Sequence, residues 1–280
     1  MIIWIASYPK SGNTWIRSFI TAYYFCKKGI FDIEKLKLIE DYPNKQFFKT
    51  KVKQGEIHKH WESSQQEICD KKKVKFLKTH NSLITAFGND FTKPKHSLGI
   101  IYIIRDPRNV ISSVKNHFDL ESYDKALKFM QDENKVLDDY PHLENYAKTN
   151  IVNSWRINYQ SWISNKSFQK LTIRYEDIAR DPHLTFKKLI NFVNALMGFK
   201  DGIDPKKLNN AIETTNFKNL QDIENKGKFG ENVYSLKDNR KIKFFYQGPE
   251  NRWGKNLDEN MIKKMNEYYN KDLKFFEYEV

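Results

Sequence analysis

The opening segment constrains this chain more than any other. Ile2-Ile3-Trp4-Ile5-Ala6 is a continuous apolar run, Ser7 to Thr14 carries Pro9, Lys10 and Gly12, and Trp15, Phe19 and Ala22 then recur on one helical stripe. A continuous apolar run reads as a parallel strand buried on both faces. A strand, a glycine-bearing loop and a helix in that order set the helix's first N–H groups at the strand's end, where they can cradle an anion. Lys10 can reach an oxygen of that anion, and Thr14 adds a hydroxyl donor. The order differs from G-x-x-x-x-G-K-[ST], because Lys10 precedes Gly12.

Three further apolar runs repeat the theme. Val74–Lys78 ends in Thr79-His80, Gly99–Ile104 ends at Arg105, and Leu171–Tyr175 ends at Glu176-Asp177. Asp106-Pro107 opens a helix, and amphipathic periods predict helices over 122–136, 150–164, 183–197 and 258–270. Strands alternating with helices give an α/β fold around a mainly parallel sheet. No Gly/Ser/Pro-rich linker or internal repeat divides the chain, so 1–280 reads as one domain. Residues 40–72 read mostly as loops and short helices, and the Lys/Asn/Gly-rich stretch 225–243 as a loop or lid.

Lys10-Ser11, His80, Arg105 and Tyr175-Glu176 each follow the C-terminal end of an apolar strand. Ligands of open parallel sheets bind outside those ends, so the pattern alone predicts a site there. A phosphoryl-transferring enzyme would want a magnesium-holding Asp at the third position. Arg105 stands there instead, which suits a second anionic group, and Ser113 lies two turns further on. Blander alternatives exist for each residue. His80 could be a hydrogen-bonded strand-end residue, Arg105 could pair with Asp106 or Glu176, and Tyr175 could be core.

Charge narrows the class of partner. The net charge is +13, but only eight of the 48 basic residues are Arg, and the Lys residues are spread along the chain. That is a solvated Lys coat without a basic-aromatic recognition motif, so no nucleic-acid partner is expected. Two cysteines, Cys26 and Cys69, cannot build a disulfide framework or a cysteine metal site. No run approaches a membrane span, and MIIWIASYPKSGNTW lacks the marks of a signal peptide, so a cytoplasmic protein is expected.

These residues call up a family. YPKSGNTW resembles the 5′-phosphosulfate-binding loop of sulfotransferases that use 3′-phosphoadenosine 5′-phosphosulfate (PAPS). IIYIIRDPRNVISSVKNHF looks like their 3′-phosphate segment, with Arg105 and Ser113 at matching spacing. KTH at 78–80 is similar to the segment with the catalytic histidine, and RYEDIARDP to the one whose Tyr, here Tyr175, touches adenine. The likeness runs from residue 2 to about 254, in the same motif order. It implies a P-loop-like three-layer fold, PAPS as donor, adenosine 3′,5′-bisphosphate (PAP) as product, no metal, and a small hydroxyl or amine acceptor.

The resemblance also implies roles. His80 would be the general base, its near-neutral pKa suiting the task, with Lys78 beside it at the substrate. Lys10 would stabilise the leaving oxygen, Ser11, Gly12, Asn13 and Thr14 would hold the 5′-phosphate, and Trp15 would pack on adenine. Thr214-Thr215-Asn216-Phe217 resembles the adenine-side segment, bringing in Thr215 and Phe217. Near the C-terminus the family has Arg-Lys-Gly and then Trp. Here Gly248 and Trp253 keep the spacing, while Tyr246 and Gln247 replace the cations. Part of the grip on the 3′-phosphate is then missing or moved to Arg252, Lys241 or Lys243. The early first strand resembles bacterial members. The competing readings are an ATP-dependent P-loop-type kinase, a nucleotide-binding protein without turnover, and a nucleic-acid binder. The sequence does not specify the oligomeric state.

Overall fold

The structure, a computed structural model, describes residues 1–138, 143–231, 233–235 and 237–279. The first half runs β1 (Ile2–Ser7), α1 (Asn13–Ile20), β2 (Glu40–Asp41), α2 (Trp61–Asp70), β3 (Lys75–Thr79), β4 (Thr85–Ala86), β5 (Asn89–Asp90) and β6 (Ser97–Ile104). It continues through α3 (Pro107–His117), α4 (Tyr123–Gln131), β7 (Val136–Leu137), β8 (Asn150–Ile151), α5 (Trp155–Ile163) and β9 (Lys170–Arg174). The last part holds α6 (Tyr175–Arg180), α7 (Pro182–Met197), α8 (Pro205–Thr214), α9 (Phe217–Asn225), β10 (Val233–Tyr234), β11 (Lys241–Ile242), α10 (Trp253–Asn256) and α11 (Glu259–Phe275).

The central sheet has five parallel strands in the order β2-β3-β1-β6-β9. Its central strands β1 and β6 are almost wholly apolar because both faces are covered there. Ile2, Trp4 and Ala6 of β1 enter one core with Ile100, Tyr102, Val110, Trp155 and Met265. Ile3 and Ile5 enter the other with Ile101, Ile16, Phe19 and Leu189. Successive side chains of a strand point to opposite faces, so β1 alone joins both helical layers. Phe19 of α1 stacks on Phe186 of α7 at 3.7 Å between ring centroids.

Several boundaries differ from the sequence expectation. The helix predicted over 122–136 begins at its Ser122 cap but ends at Gln131, and Val136-Leu137 pair with 150–151 as a two-stranded ribbon. The helix predicted from 150 begins at Trp155, because Asn153 has φ +57° and Ser154 caps the helix. The last sheet strand stops at Arg174, and Tyr175 opens a helix. Within 40–72, Glu40-Asp41 adds an edge strand, which short polar residues do not announce. In 225–243, β10 and β11 pair antiparallel, and Asn232 and Leu236 lie outside the described residues. Among the described residues no helix is long and apolar enough to cross a membrane.

Candidate active site

A cleft of about 760 Å³ opens at the C-terminal ends of β1, β3 and β6. It is where the strand-end pattern placed it. Lys10, Gly12, Asn13, Thr14, Trp15, Lys78, His80, Arg105, Ser113, Tyr175, Phe217, Gln247 and Gly248 all line it. Ser11 and Thr215 are buried and do not.

The loop after β1 is tightly built. Lys10 has φ +66° and Gly12 φ +99°. A Cβ at Gly12 would sit 2.4 Å from Cδ2 of Tyr175, so space and backbone both demand glycine. Asn13 turns its amide inward, donating to Ile5 O at 3.0 Å and Ser7 Oγ at 3.2 Å. Its side chain therefore braces the loop, leaving its backbone N–H for a ligand. The first N–H groups of α1 have no intrahelical acceptor. Ser11 Oγ and Trp15 Nε1 are buried without a hydrogen-bond partner, and Trp15 meets the Tyr175 ring edge-on at 5.5 Å.

His80 is oriented by its neighbours. Its Nδ1 lies 2.8 Å from the carbonyl oxygen of Ser7. A carbonyl only accepts, so Nδ1 carries the proton and Nε2 keeps its lone pair. Burial foremost, then Lys78, pushes the His80 pKa down to about 3, with Lys10 adding to the effect. This departs from the near-neutral value expected from the residue type, and the ring is neutral in these surroundings.

A buried amide holds the same segment. Asn158 donates from Nδ2 to His80 O at 3.0 Å, to Ser82 Oγ at 3.3 Å and to Val152 O at 2.9 Å. Its Oδ1 accepts from Tyr102 OH at 2.8 Å. Replacing Asn158 with Leu strands all these groups. We expect a loss of about 2–3 kcal/mol in denaturant unfolding. An unchanged midpoint would show that the network does not stabilise the fold.

Lys10 reaches across the cleft. Its Nζ lies 3.3 Å from His117 Nδ1, 3.5 Å from Phe244 O, and 3.9 Å above the Phe244 ring centre. Burial lowers its pKa to about 7, against the pull of Glu231. Burial and then Lys10 also push His117 well below its ordinary value, so it meets the ammonium as a neutral acceptor. The sequence reading gave His117 no role. Its place at the last turn of α3 was the available signal.

Arg105 is the hub of the far end. Nη1 donates to Lys10 O at 3.2 Å and to Ser113 Oγ at 3.4 Å, and Nη2 donates to Gly248 O at 2.9 Å. The guanidinium lies 4.0 Å over the Tyr175 ring. It is only 4% exposed, and its Nε has no partner. Asp106 instead pairs with Arg108 at 2.8 Å, and Glu176 accepts from Asp106 N at 3.0 Å. Among the described residues Arg105 therefore has no carboxylate within ion-pair distance.

The C-terminal replacements are accounted for in part. Gln247 exchanges hydrogen bonds with Asn256 at 3.2 and 3.1 Å. Gly248, at φ +54°, sits where a Cβ would lie 2.4 Å from the Phe217 ring. Arg252, Lys241 and Lys243 are exposed and outside the cleft lining. Thr215 donates back to Ala211 O at 2.6 Å, which fixes the α8–α9 corner behind Phe217.

Around His80, Lys78 is joined by charges the sequence reading did not assign: Asp41, Arg17 and Glu231. Lys78 donates from Nζ to Asp41 Oδ2 at 3.3 Å. Arg17, 3% exposed, donates to Glu231 Oε1 at 2.6 Å and stands 3.7 Å from Asp41. Lys78 and Arg17 hold the Asp41 carboxyl well below its ordinary range, although its burial pulls the other way.

Comparison with known proteins agrees with this geometry. The mouse sulfotransferase SULT7A1 complexed with PAP matches over 97% of this chain and 84% of its own, at 16% identity and TM-score 0.56. Retinol dehydratase in a complex with retinol and PAP matches over 98% and 81%, at 16% identity and TM-score 0.61. The same enzyme with androsterone and PAP matches over 98% and 80%, at 15% identity and TM-score 0.57. At such identities these structures establish a shared fold. The family described as the sulfotransferase domain matches residues 2–277, nearly the whole chain. The chain belongs to the sulfotransferase domain family.

Proposed function

We propose that this chain, acting as one domain in the cytoplasm, moves a sulfuryl group from PAPS to a hydroxyl or amine of a small acceptor. One observation carries the reading. A buried guanidinium, Arg105, and the half-buried Lys10, neither with a carboxylate within ion-pair distance among the described residues, share a cleft with an imidazole whose Nε2 keeps its lone pair. The fold neighbours crystallised with PAP support the same donor. So do the glycine-only turn at Gly12 and the unpartnered Ser11 Oγ and Arg105 Nε, which fit an anionic ligand.

Bound PAPS supplies an electrophilic sulfuryl group carried on a phosphate leaving group. His80 accepts the acceptor's proton at Nε2. Lys10 and the loop N–H groups place positive charge at the leaving oxygen. Thr14 and the backbone of 11–13 hold the 5′-phosphate. Arg105, Ser113 and the Gly248 segment hold the 3′-phosphate. Trp15, Tyr175 and Phe217 bound the adenine. No metal ligand is assigned, because Lys, Arg and backbone dipoles supply the positive charge.

The test is a magnesium-free titration with adenosine 3′,5′-bisphosphate, AMP and ATP. We expect the bisphosphate to bind at least about 100-fold tighter than AMP, the gain from one well-held charged group. Preference for ATP only with magnesium would point to a kinase instead.

A further inference from the structure

The cleft has two chemically different ends. Lys10 and Arg105 make the nucleotide end cationic. The end around His80 is walled by both signs of charge: Asp41, Lys78, Asp138, Lys148 and Glu231 all line it. The Asp41 and Glu231 side chains keep 29% and 30% of their surface open. One buried guanidinium, Arg17, ties these two carboxylates together, so Asp41 on the edge strand β2 and Glu231 present their charge at fixed positions. Asp138 accepts from Thr149 Oγ, which anchors a third carboxylate on the same wall. Phe118, Leu137 and Tyr234 supply flat apolar surface between the charges.

An acceptor that fills this end displaces the water on those groups. A hydrocarbon body would return no hydrogen bonds, at a cost of about 1–3 kcal/mol for each polar group stripped. A molecule with polar groups around its edge and a compact ring face would satisfy both kinds of surface. We propose that the acceptor is a hydrophilic, multiply hydroxylated or amino-substituted molecule of the sugar or amino-sugar class, not a sterol-like alcohol or a simple phenol. This rests on the sulfotransfer reading above and specifies the acceptor for that same cleft.

The experiment supplies the full chain with PAPS and a graded acceptor panel, from monosaccharides and amino sugars through amino alcohols to 2-naphthol and a steroid alcohol. Formation of adenosine 3′,5′-bisphosphate is read, and its direct binding is measured in parallel. We expect kcat/KM for the best sugar-class acceptor to exceed that for the apolar alcohols by at least about 100-fold. Glu231→Leu should shift that ratio about tenfold toward the apolar members, while Glu231→Gln shifts it little. Apolar acceptors turned over as well as or better than sugars would overturn the proposal. So would a sugar-class half of the panel that gives no product while the bisphosphate still binds. Absence of bisphosphate binding in the unmodified chain would instead overturn the sulfotransfer reading, and this proposal with it.

Discussion

Replacing His80 with Ala is expected to lower kcat by about 10²–10⁴-fold, the usual worth of a positioned general base. Affinity for adenosine 3′,5′-bisphosphate should stay within about threefold, because the imidazole contributes its lone pair and not a charge. The reasoning starts from Ser7, whose carbonyl takes the Nδ1 proton and so assigns the lone pair to Nε2. It continues through burial and Lys78, which hold the ring's pKa near 3. The sign for pH follows. A base already deprotonated above about pH 3 in the free enzyme gives kcat/KM no acid limb from His80 at pH 6–7. Steady-state kinetics of the variant, and a pH profile of the parent, check both statements. Near-normal turnover in the variant would remove His80 from the reaction.

Replacing Arg105 with Ala should weaken adenosine 3′,5′-bisphosphate binding by about 30–1000-fold, equivalent to about 2–4 kcal/mol for a buried charge-assisted contact. AMP, which lacks the 3′-phosphate, should lose no more than about tenfold. That smaller loss measures the structural share of the residue, which also binds the carbonyls of Lys10 and Gly248 and lies over Tyr175. Arg105→Lys should fall between, since it keeps the charge but loses the fork. Equal losses for the two nucleotides would show that Arg105 only braces the cleft.

Much of this arrangement was legible in the sequence. β1 and β6 are nearly continuous apolar runs, β3 carries an apolar centre at Phe76-Leu77, and each is followed by a polar residue that reaches the cleft: Lys10, Arg105 and His80 respectively. Such runs leave little freedom about where a buried strand stops. The missed residues lack that protection. Asp41 sits on a two-residue edge strand whose place depends on pairing with Leu77 and Lys78, a contact no local pattern encodes. Glu231 reaches the cleft only through Arg17, 214 positions away in sequence. His117 follows no strand, and it joins the cleft through Lys10 and Phe244, which pack around it. Glu176 shows the reverse case. It follows a strand as Lys10, His80 and Arg105 do, yet it is absorbed in joining α6 to the Asp106 turn and to Tyr278 OH. The His80 pKa illustrates a third limit, since side-chain type sets the starting value and only the assembled surroundings set the final one.

The position of β1 has a consequence for biosynthesis. β1 precedes every other strand of the sheet in the sequence and is its middle one, flanked by β3 and β6. Its partners lie in residues 75–79 and 97–104, so Ile2-Ile3-Trp4-Ile5 stays unpaired until roughly a hundred residues have been synthesised. At about 5–20 residues per second that is an interval of seconds, during which an apolar edge is open to wrong partners. The nascent chain is therefore expected to depend on chaperone shielding early in translation. The same placement puts the N-terminus at the end of the sheet opposite the cleft.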